Sequence, residues 1–152
     1  MIKLSAQELQ SEHPITFPLL GFDISQTKIG LAIAEHPAVA PQPLFTYIRT
    51  TRARDLMQCV DWVKRYGVGA VILGLPLNMD GTPGPRARWM QRFSRELQER
   101  LDIPVLLQDE RLSTVEADDI LTARGLNRQE RSDQVDAVAA ALILERFLHE
   151  HE

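Results

Sequence analysis

The chain has 152 residues, of which 44% are hydrophobic and 25% are charged, a balance typical of one folded domain and not of a disordered segment. The net charge of −4 at pH 7 argues against a generic basic coat for nucleic acid, because nonspecific phosphate binding requires a surplus of Lys and Arg. It does not exclude a nuclease, whose active site is acidic. The single cysteine, Cys59, excludes an internal disulfide.

The first part of the chain predicts a polar extension over residues 1–16, with a short helical turn around Ser5–Leu9. Glu8 and Glu12 lie in this part and no apolar run accompanies them, so we do not expect a signal peptide. No apolar stretch has the length of a membrane span. We therefore expect a cytoplasmic protein with no membrane partner and a single domain over residues 17–152.

Two apolar runs, over residues 18–24 and 28–35, predict a β-hairpin because a short polar turn joins them. One carboxylate, Asp23, interrupts the first run, and a charge on a buried strand is costly unless it is paired or binds a metal. A loop with three prolines over residues 36–43 follows, and Leu44–Ile48 then predicts a third strand.

The rest of the chain alternates helical and strand patterns. Thr50 or Thr51 can cap a helix that runs to about Tyr66 and stops at Gly67. The further expected elements are a strand over 70–73, a helix that begins near Pro85, a strand over 104–108, a helix over 113–123 opened by a capping box of Ser113 and Glu116, a polar loop over 126–131 and a helix over 132–148. This order predicts an α/β fold with a mixed five-stranded sheet flanked by helices.

Three acidic residues fall where such a sheet would present them together. Asp23 lies on the first strand, Glu110 at the carboxyl end of the last strand and Asp136 in the first turn of the last predicted helix. Ligand sites of open α/β sheets gather at the carboxyl ends of strands, and ligand sets of oxygen alone select hard cations such as Mg²⁺ or Mn²⁺. Two such ions about 4 Å apart can activate water for phosphodiester hydrolysis.

Each acid also has a structural explanation. Asp23 could lie at the mouth of a hairpin, and Glu110 could be a solvated loop residue. Asp136 follows Asp133 by three positions, and both carboxylates suit the positive end of a helix. Spacing alone leaves these explanations and the three-acid site open, whereas Asp109 and Asp133 are interpreted as structural.

Four segments of the chain carry motifs that together resemble one family. The segments are Gly21–Ala32, Gly74–Ala87, Asp109–Ala117 and Val135–Leu144. They resemble the YqgF family of pre-16S rRNA nucleases, also called Holliday-junction-resolvase-like proteins, over about residues 19–148. The second and third segments are the specific ones, since the first would be a weak signal by itself.

The resemblance implies a ribonuclease-H-like fold and a nuclease that depends on Mg²⁺ or Mn²⁺, with two ions in its site. The catalytic and metal-binding acids of the family correspond to Asp23, Glu110 and Asp136. The implied substrate-binding residues are Lys28, Asn78, Arg86, Arg111, Ser113 and Thr114. Their simpler explanations are a solvated helix face for Arg86, a turn for Asn78 and helix capping for Ser113.

The chain departs from the family pattern at three places. Ser25 replaces a usual Gly, Thr27 replaces a usual basic residue, and the segment over 126–134 is nearly neutral where relatives are often rich in Lys. These departures concern the grip on the substrate more than the fold or the metal site.

The expected function is processing of the 5′ end of pre-16S rRNA in ribosome biogenesis, with precursor rRNA or a ribosomal particle as partner. One alternative is a Holliday-junction resolvase, which needs a two-fold dimer to cut both strands. A second is a non-catalytic factor that binds RNA or a transcription complex. An actin-like ATPase or sugar kinase is disfavoured because that architecture needs two such domains. The sequence leaves open RNA or branched DNA as substrate, the cleavage position, and a monomer or a homodimer.

Overall fold

The computed structural model describes residues 15–151, and most of the predicted N-terminal extension, with its helical turn at Ser5–Leu9, lies outside this range. The five strands are β1 (Leu19–Ile24), β2 (Lys28–Ala34), β3 (Gln42–Ile48), β4 (Ala70–Leu75) and β5 (Val105–Asp109). The four helices are α1 (Arg52–Tyr66), α2 (Pro85–Glu99), α3 (Ser113–Ala123) and α4 (Arg128–Glu150). The order of elements confirms the predicted one. No helix within residues 15–151 has both the length and the apolarity needed to cross a membrane.

The sheet is mixed, as predicted, with the strand order β3-β2-β1-β4-β5. The hairpin strands β1 and β2 are antiparallel, as are β2 and β3, whereas β4 runs parallel to both β1 and β5. Strand β1 is therefore central, and all six of its residues are buried. Asp23 is therefore on the central strand, next to Gly30 of β2.

The two faces of the sheet carry different side chains. Helices α1 and α2 cover one face with large residues, among them Trp62 and Phe93, which pack in the same cluster as Phe22 of β1. Helix α4 covers the other face, where small residues such as Ala32 and Ala140 pack with Leu144. Helix α3 packs on α4 through a smaller apolar cluster.

Two glycines allow α4 to lie directly on the sheet. A Cβ atom added to Gly30 would lie 2.1 Å from the carbonyl oxygen of Asp136, and one added to Gly21 would lie 2.6 Å from Cγ of Leu144. Because no real side chain tolerates such distances, both positions require glycine for this approach. The backbone of α4 at Asp136 consequently rests against β2.

The caps of α1 agree with the prediction, but the start of the last helix differs from it. Thr51 accepts a hydrogen bond from the backbone N–H of Arg54, and Gly67 ends the helix in the left-handed conformation. The polar loop predicted over 126–131 is wrong, because α4 begins at Arg128 behind a capping box made by Asn127 and Glu130.

The predicted capping box at the start of α3 is also wrong. The residue that caps α3 is Leu112, which has a positive φ of 68° and makes no side-chain capping bond. Ser113 is already the first helical residue, and its hydroxyl accepts a hydrogen bond from Arg146 of α4. Glu116 is ion-paired with the same arginine. Tertiary contacts have therefore replaced the local cap.

Candidate active site

Asp23 lies on the face of the central strand that α4 covers. Side chains alternate along a strand, so Asp23 shares its face with Gly21, and it is paired in register with Gly30 of β2. Only 5% of Asp23 is exposed. Because Gly21 and Gly30 have no side chains, groups from outside the hairpin can approach this carboxylate.

Glu110 reaches the same place from the end of β5. Its backbone N–H donates to the carbonyl oxygen of Leu75 at the end of β4, at 3.1 Å. Its carboxylate lies over Gly74, where an added Cβ atom would be 2.3 Å from Oε2. A hydrogen bond joins the side chains of Glu110 and Asp23, so the structure brings two of the three predicted acids into direct contact.

Asp136 approaches the pair from α4. It is buried, and its charge acts on Asp23. The sequence predicts that Asp136 lies in the first turn of the last helix. Because α4 begins at Arg128, Asp136 lies instead about two turns inside the helix. The favourable field at a helix N-terminus fades within the first turn, so the helix-end explanation for Asp136 is wrong.

Burial raises the pKa values of all three acids. Burial, together with the charge of Asp136, raises the pKa of Asp23 to about 6, against the opposing effects of its hydrogen bond to Glu110 and of Arg86. Burial and the neighbouring Asp23 raise the pKa of Glu110 to about 10. Burial raises the pKa of Asp136, and nearby Lys28 opposes this shift. At neutral pH the Asp23–Glu110 pair therefore keeps one proton, because two adjacent carboxylates cannot both ionise cheaply.

The donor set of this pair fits a hard divalent cation. Both side chains offer only carboxylate oxygens, which are the ligands that Mg²⁺ and Mn²⁺ prefer, and a cation would replace the shared proton. Gly74 supplies the space in which the carboxylate of Glu110 lies. Within residues 15–151, no group of three or more Asp, Glu, His or Cys side chains has the arrangement that would hold a metal ion. Asp136 therefore neighbours the pair without forming a three-ligand cluster with it.

Two of the predicted substrate-binding cations lie beside these acids. Arg86, in the first turn of α2, donates to the carbonyl oxygen of Ile24 at 3.0 Å. Its positive charge opposes the rise in the pKa values of both Asp23 and Glu110. Lys28 acts on Asp136, and its Nζ donates to the carbonyl oxygen of Ser132 at 3.2 Å. Each cation lies at an edge of the acidic site.

Arg86 also belongs to a cluster of guanidinium groups around Trp89. The Cζ atoms of Arg49, Arg52 and Arg86 lie 4.7, 5.4 and 5.4 Å from the centre of the Trp89 ring. Such distances allow cation–π attraction. No local pattern marks this cluster, because its members are scattered over 41 positions and meet only in the folded chain.

Of the other predicted substrate-binding residues, Asn78, Arg111 and Ser113 have partners within the protein, and Thr114 is exposed. Asn78 donates to the hydroxyl of Thr82 at 3.1 Å, within the loop between β4 and α2. Arg111 is ion-paired with Asp109 at 2.8 Å, so the structural interpretation of Asp109 is confirmed. Thr114 is exposed. Ser113, in contrast, is buried and bonded to Arg146.

Comparisons with known proteins connect this site to a family. The RuvX family model, described as Holliday junction resolvase, matches residues 18–150. The chain belongs to the RuvX (YqgF) family. It is similar to a protein of Anaeromyxobacter sp. strain K, with 45% identity over 85% of this chain and 94% of the relative. A relative from Thermoanaerobacter pseudethanolicus is 37% identical over 86% of this chain and 94% of its own length. Both relatives bear the name "Putative pre-16S rRNA nuclease".

Solved structures confirm the predicted ribonuclease-H-like architecture of this RuvX family member. Thermus thermophilus RuvC in complex with a Holliday-junction substrate is similar with a TM-score of 0.56 and 16% identity, over 88% of this chain and 96% of RuvC. A fowlpox virus resolvase bound to junction DNA is similar with a TM-score of 0.55 and 11% identity, over 89% and 99%. Together, family and fold identify the chain as a nuclease, an enzyme that hydrolyses phosphodiester bonds.

One residue next to the site had escaped the sequence analysis. Arg146 of α4 contacts the segment that follows Glu110, through the carbonyl oxygen of Arg111 and the hydroxyl of Ser113. The signal was present in the sequence, because Arg146 is a charged residue close to an apolar helical run, but its partners are more than 30 positions away.

Proposed function

We propose that this RuvX family member is a divalent-metal-dependent nuclease that processes precursor 16S rRNA in the cytoplasm. The observation that carries the proposal is the contact between the buried Asp23 and the partly buried Glu110 at the carboxyl ends of β1 and β5. The names of the 45% and 37% identical relatives support precursor 16S rRNA as the substrate. A precursor rRNA strand or a ribosomal particle is then the partner of a monomer or homodimer.

The roles of the residues follow from their charges and positions. Asp23 and Glu110 would hold Mg²⁺ or Mn²⁺ in a site for one or two ions, and Asp136, which lies beside this pair on α4, would add its negative charge to that site. When bound, such ions supply an activated water and stabilise negative charge on the phosphate. Arg86 would donate to a phosphate oxygen, while the hydrogen bond from its guanidinium to the carbonyl oxygen of Ile24 in β1 holds the side chain in position. Lys28 adds positive charge on the side of Asp136.

The guanidinium cluster around Trp89 supports a path for the substrate strand on the α2 side of the acids. Arg86 connects this cluster to the carboxylates, since its charge acts on both Asp23 and Glu110. Two members of the cluster are already ion-paired, Arg49 with Asp55 and Arg52 with Glu96. Arg86 is therefore the member that we assign to the phosphate.

The decisive experiment compares wild type with Asp23→Asn on defined precursor 16S rRNA, four-way junction DNA and single-stranded RNA in the presence of Mn²⁺. Loss of one ligand removes several kcal/mol of transition-state stabilisation, so we expect cleavage to fall by about 1,000-fold. The thermal midpoint should stay unchanged or rise, because the variant removes repulsion between acids. Cleavage rates and melting curves from the same preparations supply both readouts.

The matched control is Asp133→Asn on the same helix as Asp136. Asp133 is exposed and accepts a hydrogen bond from Gln129, so its variant should cleave at the wild-type rate. Equal cleavage by Asp23→Asn and wild type would mean a contaminating nuclease or a wrong site. Absence of cleavage in all proteins, with retained RNA binding, would favour the non-catalytic binding factor.

Junction resolution is the second candidate function. The description of the matching family model and the RuvC-like fold favour it. In the same assay, faster cleavage of the four-way junction than of precursor rRNA would decide for this alternative. A resolvase must also be a two-fold dimer under the assay conditions, which light scattering measures directly.

A further inference from the structure

The segment that follows Glu110 has an unusual backbone at Leu112. This residue has a positive φ of 68° and half of its surface is exposed. A leucine rarely adopts the left-handed region, because its Cβ atom crowds the backbone there. Such a conformation persists only where the surrounding structure holds it.

Arg146 supplies contacts on both sides of Leu112. Its Nη1 donates to the carbonyl oxygen of Arg111 at 2.7 Å and to the hydroxyl of Ser113 at 3.0 Å. Its Nη2 is ion-paired with Glu116, one turn into α3. The guanidinium group of Arg146 thus contacts Arg111 before Leu112, Ser113 after it, and Glu116 in the first turn of α3.

The turn that Arg146 contacts is also hydrogen-bonded to the backbone of Glu110. The N–H of Ser113 donates to the carbonyl oxygen of Glu110 at 3.0 Å, so the turn that Arg146 holds also fixes the backbone of the acid. The carboxylate of Glu110 has little freedom of position, since it fits over Gly74 and contacts Asp23. A shift of the turn would therefore move the carboxylate away from its partner.

We infer that Arg146 is a positioning residue: by holding the turn at residues 111–113, it keeps the carboxylate of Glu110 in contact with Asp23. The inference rests on the proposed function, because it gives Glu110 the role of a metal ligand. Arg146 itself acts only through the segment 111–113 and Glu116. The planar fork of arginine is essential to this role, since a lysine cannot donate in two fixed directions at once.

The test uses Arg146→Met and Arg146→Lys, with Arg131→Met as the matched control. Arg131 lies on the same helix and also joins α4 to α3, through an ion pair with Asp118 at 3.1 Å, but its partners are in the middle of α3 and at Leu126 beyond its C-terminus, away from the turn after Glu110. Misplacement of a catalytic group by about 1 Å can cost about 100-fold in rate. We therefore expect Arg146→Met to lower kcat by about 100-fold with KM unchanged, and Arg146→Lys to recover only part of this loss.

Two further measurements do not depend on cleavage. Arg146→Met should weaken Mn²⁺ binding, measured by calorimetry on the metal-free protein, and should speed hydrogen exchange at the amide of Ser113. Arg131→Met should change neither. Should Arg146→Met fail to fold, Ser113→Ala removes one of the acceptors and should lower kcat, not raise KM, which separates positioning from substrate binding.

The outcomes distinguish this inference from the proposed function. If wild type cleaves and Arg146→Met matches Arg131→Met in kcat, Mn²⁺ affinity and exchange, the positioning role is refuted while the nuclease stands. If wild type neither cleaves nor binds Mn²⁺, the proposed function fails instead, and the positioning role fails with it. A rise in KM alone for Arg146→Met would assign Arg146 to substrate contact and also overturn the inference.

Discussion

Two buried aspartates on opposite sides of the sheet have contrasting surroundings. Asp55, in the first turn of α1, is fully buried, and its two oxygens accept hydrogen bonds from Nε of Arg49 at 2.9 Å and from the backbone N–H of Thr50 at 3.1 Å. Asp23 is almost as buried, but the ionisable side chain that shares a hydrogen bond with it is a second acid, Glu110.

This contrast separates a structural charge, Asp55, from Asp23, the charge that we propose to be functional. Arg49 also donates to the carbonyl oxygens of Ser25 and Gln26, so the pair with Asp55 ties α1 to the turn of the hairpin. A buried charge with such partners belongs to the architecture. A buried acid placed against another acid costs stability, and its raised pKa is typical of functional sites. Three measurements test this distinction.

The largest expected effect comes from Asp55→Asn. The substitution leaves the guanidinium of Arg49, which is mostly buried, without its counter-charge, and removal of one partner of a buried ion pair typically costs about 3–5 kcal/mol. We expect the free energy of unfolding to fall by this amount in urea titrations at pH 7 with a chelator present. A variant as stable as wild type would show that Asp55 and Asp23 do not differ in the way described.

The second effect is a pH dependence that Asp23 causes in the metal-free protein. Its pKa is about 6 in the folded state against an ordinary 3.8, so the folded state keeps a proton that the unfolded chain has already released. The free energy of unfolding therefore falls as pH rises from about 4 to about 6, by about 3 kcal/mol for this residue.

Asp23→Asn should lack that loss. Urea unfolding at pH 4 and pH 7, with a chelator, should show the variant gaining stability relative to wild type between the two values, because the substitution removes the titration of Asp23 and one cause of the raised pKa of Glu110. Because Asp23 and Glu110 titrate as a pair, the comparison is made between whole proteins. Parallel stability curves for the two proteins would contradict the raised pKa of Asp23.

The smallest effect is stabilisation by the metal. An ion that binds only the folded state at 100 times its dissociation constant adds about 2.7 kcal/mol, so Mn²⁺ should raise the melting temperature of wild type. It should do so far less for Asp23→Asn, whereas Asp55→Asn should keep the full response from its lower baseline. Scanning calorimetry with and without Mn²⁺ measures this, and an equal response of all three proteins would point to binding elsewhere.

Local patterns predicted most of the fold. The hairpin, the Thr51 cap and Gly67 stop of α1, and the order of all elements depend on neighbours in sequence, and the structure confirms them. The errors occurred where distant residues compete with local signals. Ser113 and Glu116 fit a capping box in sequence, but Arg146 engages both side chains and Leu112 takes the capping position.

From the sequence alone, the motifs around Asp23, Glu110 and Asp136 predicted which residues would carry the chemistry, because they resemble one family, and the family match agrees with that resemblance. The way in which Asp23 and Glu110 meet depends on tertiary contacts. Gly30 and Gly74 lack the side chains that would hold α4 and Glu110 away from the sheet, and Arg146 reaches across from α4 to the turn after Glu110. These are contacts between residues far apart in the chain, and their energies depend on distances that no local pattern contains.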